Sequence, residues 1–155
     1  LIICGIDVGK KGGVALHSGA TMSAVPMPKT IQDFHCMMKN FCFEARPENI
    51  HVFIEKGHSM PRQAGVFNYG HHCGALEGIL IALCIPHSLI SPAHWQREMF
   101  VGTNAKDPPK KRSLAACRRL FPSVSLVAPG CRVESDGMAD ALLICEYGRR
   151  KLGAA

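Results

Sequence analysis

The chain has 155 residues, of which 47% are hydrophobic and 19% charged, with a formal charge of +6 and a pI near 9.0. That length suits one compact domain over 1–155, and the hydrophobic share supplies a core, which excludes global disorder. The longest apolar run, residues 79–86, is too short to cross a membrane, and the positive balance favours polyanionic partners, nucleic acid foremost.

In chain order, LIICGIDV is a short β-branched run ending at Asp7 and reads as a central strand. Residues 9–13 form a Gly-rich turn, and 14–17 and 22–26 follow as short strands around Gly19. Apolar residues at helical spacing (Ile31, Phe34, Met37, Met38, Phe41) predict a helix over 31–43. A second apolar run, 51–55, again ends in an acid, Glu55. A Gly/Pro-punctuated loop follows over 56–65, then a long helix over 66–83 that carries the small residues Gly70, Gly74, Ala75 and Gly78. Residues 87–90 read as a strand, and Pro92 opens a helix to Phe100. A basic helix over 110–120 is stopped by Pro122, and 135–152 form the last helix. Strands first, then strands alternating with helices, imply an α/β domain with a mixed sheet covered on both faces.

None of the eight cysteines forms a C-x-x-C pair. Those inside apolar runs, such as Cys4 and Cys84, read as small buried hydrophobes in a reducing compartment. His71-His72-Cys73 has no second ligand pair at zinc spacing. No signal peptide is visible, and Leu1 in place of Met leads to the expectation that an upstream segment was removed, and any targeting segment with it.

The chemistry rests on acids. Asp7 and Glu55 end two apolar strands, where ligands of open α/β sheets sit. Asp136 and Asp140 are four apart and share one helix face. Four such carboxylates cannot all stay ionised without cations, and an all-oxygen donor set suits Mg²⁺. Two Mg²⁺ ions about 4 Å apart activate a water and steady the leaving oxygen in phosphodiester hydrolysis. Each acid also has a plainer reading: Asp7 as a turn residue before Gly9, Glu55 as a surface partner of a lysine, Asp136 as a helix-start residue, Asp140 as a solvated helix position.

Residues 106–119 hold six Lys/Arg against one acid, Asp107. Lys110 or Lys111 is a candidate to stabilise charge developing on a phosphate, and Arg112 to grip a phosphate. The plainer reading is a solvated charged face. The loop after Glu55 offers Met60, Arg62 and Gln63 as readers of nucleic-acid sequence. Phe67 and Tyr69 read equally as a wedge between unstacked bases or as core.

These residues resemble the RuvC family of junction resolvases. The resemblance lies in GIDVGKKGGVAL, FIEKGHSMPRQAGVFNYGHHCGALEGILIAL, KKRSLAACRRLFP and ESDGMADALLICEYGRR, with ISPAHWQREM between them. It spans nearly the whole chain and is strongest to the phage-like and plastid branch, including the monokaryotic-chloroplast resolvases. It implies a ribonuclease-H-like fold with a five-stranded mixed sheet, and a homodimer joined through the helix after Glu55. It also implies Mg²⁺- or Mn²⁺-dependent cleavage of four-way DNA junctions by symmetric paired nicks that leave 5′-phosphate and 3′-hydroxyl ends. Asp7, Glu55, Asp136 and Asp140 fall on the family's acidic positions and a family lysine on Lys110 or Lys111. Lys10, Lys11, Met60, Arg62, Gln63, Phe67, Lys110, Lys111 and Arg112 are the DNA-contacting candidates. A chloroplast location, or alternatively a bacterial or phage-host cytoplasm, goes with the resemblance. One departure stands out: the last two acids are four apart here and three apart in bacterial members.

Three rivals remain at this level. A related nuclease would cut RNA–DNA hybrids or flaps instead. A non-catalytic junction binder would keep the fold and lose the chemistry. GIDVGKKGG also resembles the first phosphate loop of sugar kinases and actin-like ATPases, but those need a second similar domain and the P-loop pattern is missing. No nucleotide cofactor and no membrane partner are expected.

Overall fold

The computed structural model describes residues 1–57 and 65–153. Five strands form one sheet: β1 (Ile2–Asp7), β2 (Gly13–Ser18), β3 (Thr21–Pro26), β4 (Ile50–Glu55) and β5 (His87–Ile90), in the order β3-β2-β1-β4-β5. The β1–β2–β3 meander is antiparallel, and β4 and β5 add in parallel. Among the described residues five α-helices cover it: α1 (Ile31–Glu44), α2 (Val66–Ala82), α3 (Pro92–Met99), α4 (Pro109–Leu120) and α5 (Asp136–Lys151). This is the mixed five-stranded α/β sheet expected from the sequence, and element ends differ from expectation by a residue or two, as fraying ends do. Among the described residues no helix is long and apolar enough to cross a membrane.

Strand alternation sorts the core into two layers. Cys4 and Ile6 of β1 and Val52 and Ile54 of β4 face one way, where they pack with Phe34 and Met38 of α1 and Leu76 and Leu80 of α2. Ile3 and Phe53 face the other way and meet α5, α3 and α4 through Leu142, Trp95 and Cys117. Odd-numbered residues of β1 and β4 therefore look toward α5. Asp7 and Glu55 are odd-numbered and lie one step beyond the paired Ile6 and Ile54.

Helix α5 is buried from Gly137 to Gly148 except at half-buried Asp140. It lies on β1 closely enough that a Cβ on Gly5 would overlap the Ala141 carbonyl and the Cys145 amide. A Cβ on Gly137 would likewise overlap the Lys11 carbonyl at the β1–β2 turn. These two glycines bring the start of α5 against the end of β1. Burial of Leu142, Leu143 and Ile144 holds it there at about 1.5–3 kcal/mol per side chain.

Cys84 corrects one expectation. It lies in an apolar run but is exposed, because the chain takes a left-handed turn there (φ 54°) just past α2. Cys4, Cys117 and Cys145 are buried as expected, and all eight cysteines are free thiols.

Candidate active site

The local chain determines where each acid sits. Asp7 ends β1, and its Oδ1 accepts the Gly9 amide at 3.1 Å, so it also serves the turn. Glu55 ends β4, and its Oε2 accepts the indole N–H of Trp95 at 2.9 Å. Ser135 caps α5, its hydroxyl oxygen accepting the Met138 amide at 3.2 Å. Asp136 is then the first residue of the helix, and Asp140 lies one turn further on. The plainer readings of Asp7 as a turn residue and Asp136 as a helix-start residue therefore fit the structure.

The four carboxylates share one electrostatic environment. Asp140 is pushed up to about 7, first by burial and then by the negative charges of Asp7, Glu55 and Asp136, against a hydrogen bond donated by the Ser113 hydroxyl. Asp7 is raised as well, chiefly by burial, with Asp136 adding to the rise and Lys110 opposing it. Nearby Tyr69 is held above the usual phenol range by burial, by Cys73 and by the charges of Glu55 and Asp7.

Cations answer this charge only in part. The Lys110 ammonium sits 2.8 Å from Asp136 Oδ2, and that contact raises the lysine's own pKa. Lys111, one residue on, is exposed. Lys10 and Lys11 are exposed on the β1–β2 turn. Arg112 lies over the Phe100 ring, 4.6 Å from its centroid. Phe67 is 82% exposed, so it is not core, whereas Tyr69 packs against the α1–α2 layer. Met60, Arg62 and Gln63 lie outside the described residues.

Among the described residues no three His, Cys, Asp or Glu side chains close on one point as a ready-made metal cage. The donor chemistry nonetheless fits a hard divalent cation: oxygen ligands only, mutually repelling, with one already drawing in an ammonium. Sequence reasoning missed Trp95 and Ser113. A signal existed for Trp95: the chain's one Trp needs a partner for its indole N–H. For Ser113 there was none, since its burial one turn after Lys110 appears only in the fold.

No protein-family model matches the chain, and no curated protein matches it in sequence. Solved structures do. The chain superposes on the Thermus thermophilus RuvC structure with a TM-score of 0.60 at 18% identity, covering 100% of this chain and 98% of that one. It has the RuvC fold. The same bacterial protein in complex with a Holliday junction substrate gives 0.62 at 17% identity, with 100% and 98% coverage. The yeast mitochondrial Holliday junction resolvase Ydc2 gives 0.53 at 17% identity, covering 92% of this chain and 75% of that one. At these identities the likeness establishes the ribonuclease-H-like fold.

Proposed function

We propose that this chain is a structure-selective DNA endonuclease that resolves four-way junctions by symmetric paired nicks with 5′-phosphate and 3′-hydroxyl ends. It acts as a single nuclease domain over 1–155 and as a homodimer. The observation that carries this reading is the placement of Asp7 and Glu55 at the ends of adjacent parallel strands beside the start of α5, where burial and the charges of Asp7, Glu55 and Asp136 raise Asp140. The likeness in fold to proteins that bind or resolve Holliday junctions supports the choice of substrate.

Asp7, Glu55, Asp136 and Asp140 would hold two Mg²⁺ or Mn²⁺ ions. When bound, these supply Lewis-acid activation of a water and neutralise the leaving oxygen. The chain's own groups do the rest. Trp95 and Ser113 fix the rotamers of Glu55 and Asp140, the outer-shell role that holds ligands in place. Lys110, held at Asp136, supplies a positive charge beside the phosphate as negative charge develops there. Lys10, Lys11, Lys111 and Arg112 grip the backbone, exposed Phe67 wedges at the branch, and Met60, Arg62 and Gln63 read sequence.

Support for the dimer comes from α2. Its residues Gly70, Gly74 and Gly78 face open space, since an added Cβ at any of them would meet nothing within 4 Å. Ile81 on the same helix is 61% exposed. A face with these small residues lets a second helix approach closely across a two-fold axis. The plastid location goes with the same reading, and imaging a tagged chain against organellar DNA tests it.

The test of activity is a cleavage assay on four-way junction, flap, duplex and RNA–DNA hybrid, in Mg²⁺ and in EDTA. Paired, ligatable nicks in the junction, seen only with Mg²⁺, are expected. Preferential cutting of hybrid or flap overturns the substrate. A second reading, a junction binder without chemistry, draws on the protein donors that already occupy each carboxylate. Equal junction binding in Mg²⁺ and EDTA, with no nicks in either, selects it.

A further inference from the structure

Helices α3 and α4 both hand a side chain to the acid cluster: Trp95 to Glu55 and Lys110 to Asp136. Between them, on the outer side of α3, runs a groove of about 450 Å³ lined by Ala93, Gln96, Arg97, Phe100, Val101 and Arg112. Two of those six residues are arginines and none is acidic. The one acid within α3, Glu98, is taken by Lys151 at 2.7 Å. Arg97 is exposed and has no ion-pair partner among the described residues. Arg112 is pre-set: its guanidinium stacks on Phe100, and its Nε–H donates to the Thr103 hydroxyl at 2.9 Å. Phe100 is itself braced edge-on by Trp95, with ring centroids 5.6 Å apart. The floor is apolar, and Val101 is 66% exposed beside it.

We propose that this α3–α4 groove binds the sugar–phosphate backbone of the DNA strand leaving the acid cluster along one junction arm. In this groove Arg97, Gln96 and Arg112 contact phosphates, while Phe100 and Val101 lie against the sugars. The inference rests on the junction-nuclease reading and extends it to a surface on which only Arg112 was a DNA-contacting candidate in the sequence. Three features argue for a polyanion rather than an apolar protein segment. The walls carry two guanidinium groups with no ion-pair partner among the described residues, no carboxylate is among the residues that line the groove, and the groove is bounded by the two helices that reach the acids. Contacts of this kind position the duplex and carry no sequence information.

The experiment measures binding of the full chain to a synthetic four-way junction in EDTA, so that strands stay intact, over a series of salt concentrations. Arg97→Ala is expected to weaken binding about fivefold at about 0.15 M salt and to lower the slope of log affinity against log salt by about 1. Arg97→Ala with Gln96→Ala weakens it further, and both variants do so equally for junctions of different sequence. Arg46→Ala, an exposed arginine in another part of the chain paired with Glu48, serves as the charge-matched control and leaves the slope unchanged. A parent that binds the junction while Arg97→Ala keeps the parent's affinity and slope overturns the groove and leaves the junction reading standing. A parent with no junction binding in any salt overturns both.

Discussion

Asp140 and Glu146 lie on one buried helix about 9 Å apart along its axis, and the chain treats them in opposite ways. Burial pushes Glu146 up as it does any carboxyl, but hydrogen bonds from Arg149 and Arg150, at 2.7–3.1 Å, more than offset this and hold it below its ordinary range. Asp140 is raised by burial too, yet its hydrogen-bond partner is the Ser113 hydroxyl and the charges of Asp7, Glu55 and Asp136 add to the rise, so it reaches about 7. The C-terminal end of α5 is electrostatically finished. The N-terminal end is short of positive charge. Buried charge compensated by its own protein is a structural device, whereas buried charge left uncompensated in a cleft marks a site that takes a cation or a proton.

The largest expected effect breaks this asymmetry at the site. Asp140→Asn should cut junction nicking by about 10²–10³-fold, the scale at which one preorganised charged group acts. The same variant should be more stable than the parent at about pH 8, because it removes a carboxyl whose ionisation is opposed by burial. The sign follows from the raised pKa. The contribution of Asp140 is whole below its ordinary 3.8 and is lost as pH climbs through about 7. Denaturant midpoints for the parent should therefore fall relative to Asp140→Asn between about pH 4 and 7, and stay lower above that. Glu146 has a lowered pKa, so its contribution is present above its ordinary 4.5 and is lost only as pH falls below that.

Trp95→Phe sharpens the account next. It keeps the ring in the core but deletes the N–H that holds Glu55, and nicking should fall about 10–100-fold with stability lowered by about 1 kcal/mol. Glu146→Gln probes the finished end. It should cost about 1–3 kcal/mol in chemical denaturation, moderated because Arg149 and Arg150 are partly exposed and can rehydrate, and leave nicking per folded molecule unchanged. Arg150→Ala is the smallest change. Its side chain is 43% exposed and Arg149 remains on Glu146, so a loss below about 1 kcal/mol is expected.

The sequence made the strands and the acids legible for physical reasons. β1 and β4 are apolar runs buried on both faces, and each stops at its first acid. The last helix declares itself by the apolar run Ala141-Leu142-Leu143-Ile144 beside Asp140, all four of which are buried in the fold. What it did not make legible depends on contacts across the fold. Trp95 meets Glu55 from 40 residues away, and Ser113 meets Asp140 from 27 away. Neither pairing has any local spacing to betray it. Cys84 was misjudged because an apolar run carries no mark of the left-handed turn that lifts it into solvent. Phe67 looked as much like core as like wedge, because the first turn of α2 does not reveal in sequence which side meets the sheet.

The central claim is that the N-terminal end of α5 lacks positive charge that a divalent cation supplies. Calorimetric titration of Mg²⁺ or Mn²⁺ into the parent, Asp140→Asn and Glu146→Gln tests it most directly. Binding by the parent and by Glu146→Gln, with loss in Asp140→Asn, is the predicted result. Parent-like binding by Asp140→Asn, or no binding by the folded parent, contradicts it.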